Sequence, residues 1–215
     1  MRRQTKVTQC HQSLLHRFSP SFLKYYHWLL VTATTSLFLF PSSLLTPVSS
    51  NPDPRAETAV RELKVRYAEY PKILVFVANK DNRGQGKLMA INTKEGRIDG
   101  AYRAISGVGG EENQRMLGPI PSQSHIKQPH YKVDVMPLTL TNPGIAGKFY
   151  KINPHMVAVG GRTRGDFGIH ADRNVPGTAG CIGIESEKEW KEFKALMLDY
   201  QRAGLKQIQL LVSYR

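Results

Sequence analysis

Cysteine is nearly missing from this chain: its 215 residues contain only Cys10 and Cys181. Neither stands in a Cys-x-x-Cys pair and no His-x-His pair occurs, so no recognisable zinc-ligand spacing is present. His125 and His130 with Asp134 come nearest to a ligand set, and spacing of that kind arises readily by chance. No metal and no cofactor is expected. Acidic residues are absent from the first fifty positions, which carry Arg2, Arg3, Lys6, Arg17 and Lys24. A nucleic-acid-binding motif is also lacking, which together with the leader described next argues against a nucleic-acid partner. No internal repeat occurs.

What the chain does have begins with that leader. A basic stretch over residues 1–27 precedes an apolar run over residues 28–40 that is interrupted only by small hydroxyl residues. This is the order of a signal peptide, or of an N-terminal membrane anchor, and the run is short for a bilayer span. Ser42, Ser43, Ser49 and Ser50 supply small residues for cleavage, without an Ala-x-Ala site. The body is therefore expected to be exported to the periplasm or cell envelope, with any membrane association running through the leader. Cleavage would also remove Cys10. Cysteines in oxidising compartments are usually kept in pairs, so a solitary Cys181 reads as a reactive thiol. The net charge is +13, of which the first fifty residues carry five, leaving +8 for the body. A basic exported domain suits an anionic polymer such as cell wall, and equally a plainly soluble surface.

The length fits one domain plus a leader. We divide it into 1–50 (signal peptide or anchor), 51–71 (a Pro-rich linker and a short helix over 57–69, stopped by Pro71) and 72–215 (the folded domain). The apolar, β-branched run 72–79 and residues 87–92 flank a glycine-containing turn and predict a β-hairpin. Further strands are expected at 101–106, 131–140, 149–152 and 156–159, with a flexible loop at 107–110. Pro119 and Pro121 enforce an extended path between them. Ser186 with Glu189 has the form of a capping box. Trp190, Phe193, Leu196, Met197 and Tyr200 then make an apolar helical stripe, Gly204 stops the helix, and Ile208, Leu210, Val212 and Tyr214 alternate as a last strand. The expected fold is mainly β with one covering C-terminal helix, and the protein is expected to be a monomer.

The chemistry concentrates in residues 165–184. Phe167 and Ile169 alternate about Gly168, predicting a strand that ends on His170. A turn at 174–177 and a hairpin-like return would then face the imidazole to Cys181, with ten residues between the two. A thiol needs a base or a cation beside it to become a good nucleophile, and His170 is the candidate base. Gly180 leaves room for a carbonyl to approach, and the N–H groups around Gly180 and Cys181 offer an oxyanion hole. The basic stretch 160–165 reads as a glycine-rich loop. Arg162 and Arg164 from it, with Arg173, are candidates to bind a peptide carboxylate through the planar guanidinium fork, or else are solvated loop cations.

His170 followed by Thr178-Ala179-Gly180-Cys181-Ile182 resembles the signature of YkuD-type L,D-transpeptidases, in which a His precedes a Ser/Thr-His-Gly-Cys-apolar run. The resemblance is specific over residues 165–214 and one of rhythm over 73–160. It implies a β-sandwich or sheet with a covering helix. It also implies an acyl-enzyme formed on Cys181 by a peptidoglycan stem tetrapeptide, with His170 as base and the Ala171 carbonyl orienting the ring. Thr178 and Gly180 match the Ser/Thr and Gly positions. Ala179 stands in place of the second His, Gly183 stands where Arg or Asn is common, and the His-to-Cys spacing is short. The acyl group passes to an amine in transpeptidation or to water in an L,D-carboxypeptidase. Loss of activity would leave a cell-wall-binding module. Papain-like hydrolases place Cys before His, and sortases fit the spacing poorly.

Overall fold

The computed structural model describes residues 66–79, 86–126, 130–142, 144–173 and 177–215. The leader, most of the expected 57–69 helix and the 80–85 turn lie outside them. Residues 66–69 form a turn that leads into β1.

The β-branched run becomes β1 (Lys72–Ala78), which pairs antiparallel with β2 (Gly86–Asn92), as the hairpin reading requires. β3 (Arg97–Ser106) begins earlier than its alternation suggested and pairs antiparallel with β2. The single strand expected over 131–140 is two: β4 (Tyr131–Asp134) and β5 (Leu138–Leu140). Pro137 lies between them, and a residue without an N–H cannot donate to a ladder. β6 (Gly147–Asn153) follows, then β7 (Met156–Val159) and β8 (Arg162–Gly165), a separate antiparallel hairpin. Its tip is Gly160 (φ +53) and Gly161 (φ +73). Two consecutive positive φ angles define the turn that suits the twist of a tight hairpin, so the expected basic loop is a strand. The wall is completed by β9 (Gly168–Ala171), β10 (Ile182–Ile184) and β11 (Gln207–Tyr214).

The sheet closes on itself. Its order is β4-β11-β1-β2-β3-β10-β9-β6, and β4 also pairs with β6 through Lys132↔Asn153 and Val133↔Ile152, giving an eight-stranded barrel with β5 added outside β6. The mainly β expectation stands, and the sandwich gives way to this closed barrel. Closure removes open sheet edges, and β5 is where an outer strand remains.

Among the described residues the helix α1 (Glu187–Arg202) covers the core as expected. Ser186 caps it by accepting from Glu189 N at 3.4 Å. The Glu189 carboxylate turns instead to β3, accepting from Arg103 N at 3.0 Å. Trp190, Phe193, Met197 and Tyr200 are buried, and Phe193 meets Tyr102, Tyr150 and Trp190 with ring centroids 5.4, 5.3 and 5.8 Å away. Removing an aromatic ring from such a cluster loses transfer energy and leaves a cavity. Phe193→Ala should cost about 3–5 kcal/mol, read as a lower urea midpoint with an unchanged slope.

Candidate active site

β9 and β10 are neighbours, but they run parallel, with Ile182↔Ile169 and Gly183↔His170 in register. The chain therefore leaves the end of β9 and travels back to the start of β10, which corrects the expected hairpin-like return. Ile169, Ala171, Ile182 and Ile184 belong to the barrel core. Because side chains alternate along a strand, Gly168, His170 and Gly183 point to the outer face of the wall. Cys181 immediately precedes β10, one residue before the Ile182↔Ile169 pair.

His170 is 4% exposed, and its Nδ1 lies 2.8 Å from Ala171 O. A carbonyl can only accept, so Nδ1 carries the proton, and in the neutral ring Nε2 is the basic nitrogen. Phe149, opposite His170 on β6, stacks on the ring at 6.2 Å with an interplanar angle of 16°. Gly168 makes room for it: a Cβ there would stand 2.0 Å from the Phe149 ring. Cys181 is 0% exposed, and its Sγ lies 3.8 Å from Asp166 O.

The returning segment is tied down by one hydroxyl. Thr178 Oγ1 accepts from Gly107 N at 3.0 Å and Gly180 N at 3.2 Å and donates to Cys181 O. One donor and two acceptors are all a hydroxyl has, so Thr178 is fully used. The Gly180 N–H thus turns to Thr178, and the oxyanion reading rests on the main chain at Cys181. Gly180 sits at φ +113, and its carbonyl accepts from Ser106 Oγ at 3.4 Å. Gly183 has its own reason for lacking a side chain. A Cβ there would meet Asp172 Cβ at 3.0 Å and Thr178 Cγ2 at 3.2 Å, so the return path lies across this position.

The three arginines separate. Arg162 is exposed on β8, and exposed Arg173 reaches Glu187 at 3.4 Å. Arg164 is 4% exposed and donates to the main-chain carbonyls of Glu112, Gly118, Pro119 and Ala179, the bonds to Gly118 and Ala179 measuring 2.8 and 3.2 Å. A guanidinium so engaged holds loops together; it is not placed to receive a carboxylate arriving from solvent, and this corrects the substrate-binding expectation for Arg164. Ser106, Phe149 and Asp166 were not foreseen. Ser106 carried a faint signal as a polar residue ending an apolar strand, whereas Phe149 is brought in by strand pairing.

A pit of about 40 Å³ opens beside Asp166 and Ala179, with Arg115, Met116 and Met156 in its wall. Its size admits little more than one water. A cleft of about 970 Å³ on the outside of β1–β3 is lined by Lys87, Arg103 and Arg215 among others, and His170 and Cys181 are not in its wall. Among the described residues no cluster of three potential metal ligands occurs, and no helix is long and apolar enough to cross a membrane.

The sequence matches no protein-family model and no curated protein. Among solved structures the chain is similar to two crystal structures of the helical cell shape determining protein Pgp2 from Campylobacter jejuni, one of them a point variant. The variant aligns at 14% identity and a TM-score of 0.48, over 76% of this chain and 57% of that one. The other aligns at 13% identity and a TM-score of 0.45, over 67% and 48%. This chain thus spans about half the length of those proteins.

Asp172, at the start of the return path, generates a pH prediction. It is half-buried, accepts from Gly177 N at 3.4 Å, and burial pushes its carboxyl above its ordinary pKa. The folded state then holds the proton more tightly than the unfolded one. Its contribution to stability is complete below the unfolded pKa and lost as pH rises through the folded pKa. Asp172→Asn should therefore be more stable than wild type at pH 7. That difference in melting temperature should shrink as pH falls below about 4, as thermal unfolding across pH 3–8 would reveal.

Proposed function

We propose that this protein is an exported cysteine acyltransferase that acts on peptidoglycan stem peptides by L,D-transpeptidation, with Cys181 as nucleophile and His170 as base. The observation that carries the reading is the 2.8 Å contact between His170 Nδ1 and Ala171 O, on the strand that runs beside the one Cys181 leads into. That contact fixes the tautomer a base needs, without a third side chain.

In this reading His170 Nε2 takes the Sγ proton, and the thiolate attacks the carbonyl carbon of the stem peptide. The carbonyl oxygen becomes an oxyanion held by the main chain at Cys181. As the C–N bond breaks, the imidazolium returns its proton to the departing amine, leaving a thioester. An acceptor amine then loses a proton to His170 and attacks, the C–S bond breaks, and Cys181 recovers its thiol. Water in the acceptor's place gives an L,D-carboxypeptidase. Arg162 and Arg173, both exposed, remain the candidates for the peptide carboxylate. Residues 1–50 would direct export to the periplasm or envelope, and 72–215 would be the catalytic domain, monomeric and without a cofactor. The complete burial of Cys181 favours, as a second reading, a wall-binding module without turnover.

Chromatography of disaccharide-tetrapeptides incubated with the purified protein separates these readings. Crosslinked dimers are expected. Trimmed tripeptides alone would make it a hydrolase, and unchanged substrate with co-sedimentation on sacculi would make it a binding module. Cys181→Ala should abolish turnover, and His170→Gln should lower it about 10²- to 10⁴-fold.

A further inference from the structure

We propose that Arg164 is a positioning residue for the nucleophile: its buried guanidinium sets the main chain on which Cys181 is mounted and places a permanent positive charge against Gly180, the residue before it. This rests on the acyl-transfer reading above.

The geometry is specific. Arg164 enters from the β7–β8 hairpin, outside the barrel wall, and its donors divide between two segments. One carries Glu112, Gly118 and Pro119, and the other carries Ala179, two residues before the cysteine. The guanidinium carbon lies 5.3 Å from the Phe167 ring centroid. Gly180 is packed against the group so closely that a Cβ would stand 2.5 Å from Nη2. Fixing the Ala179 carbonyl fixes the plane of the Ala179–Gly180 peptide, and the Ser106 bond to the Gly180 carbonyl fixes the next one. With both planes held, the Cys181 N–H has one orientation and the Cα that carries the sulfur has one position. Small displacements of reacting groups are costly, about a hundredfold in rate for 1 Å. The charge acts in the same direction, because a cation near a cysteine favours the thiolate. Arginine does not deprotonate in proteins, so this contribution does not vary with working pH. Lysine carries the charge but has no planar fork to reach four carbonyls.

Three proteins test this: wild type, Arg164→Lys and Arg164→Gln, each checked for a cooperative thermal transition. The readouts are the pH profile of Cys181 alkylation by iodoacetamide and the kcat and KM for a stem tetrapeptide. Arg164→Lys should keep most of the alkylation profile and lose about ten- to a hundredfold in kcat with little change in KM. Arg164→Gln should also move the alkylation midpoint upward. Folded variants with wild-type kcat and wild-type alkylation profiles would overturn the proposal. A folded wild type that acylates no donor would instead overturn the acyl-transfer reading. Should neither variant fold, NMR of the wild type decides: the Arg164 side-chain N–H signals should be protected from exchange and should shift when Cys181 is acylated by a carbapenem. Unprotected or unmoved signals would overturn it.

Discussion

Two neighbouring parallel strands joined by only ten residues form the constraint on which the rest of this site depends. Parallel neighbours ordinarily need a crossover of a dozen residues or more, often a helix. Here the chain turns back directly over the outer face of β10, which is possible because Gly183 offers no side chain under Asp172 and Thr178. The consequence is chemical. A return of this kind delivers Cys181 to the start of β10, the strand that runs beside the one carrying His170.

Such a return lies away from the core and must find partners for its own polar groups, since each buried group left unsatisfied costs about 1–3 kcal/mol. Side chains supply them. Thr178 engages Gly107, Gly180 and Cys181, Ser106 engages Gly180 and Ile120, and Arg164 binds Ala179 together with the 112–119 segment. Behind the wall, the aromatic cluster of Tyr102, Tyr150, Trp190 and Phe193 holds β3, β6 and α1 together. The outer site is thus a polar construction fastened to an apolar one, with Ile169 and Ile182 facing in and His170 and Gly183 facing out along the same two strands.

What was legible in the sequence was local. The Ser186 cap, the 190–200 stripe and the Gly204 stop describe α1 because helical periodicity and capping act within a few residues. The β1–β2 hairpin was legible for the same reason. His170 and Cys181 were legible as a motif. Barrel closure was not, because it joins β4 to β6 and β11 to β1 across long separations that leave no local trace. A ten-residue connection suits a hairpin as well as a return, so nothing in 171–180 distinguished parallel from antiparallel. Arg164 was misread for a related reason. A cation in a glycine-rich stretch reads as exposed, and its burial is decided by carbonyls contributed from residues far along the chain.

Whether Cys181 is an activated nucleophile is decided by intact-mass spectrometry of the purified protein with a stem tetrapeptide or a carbapenem. One covalent acyl adduct is expected on the wild type and none on Cys181→Ala. A folded wild type that stays at its own mass with every acyl donor offered would contradict that expectation.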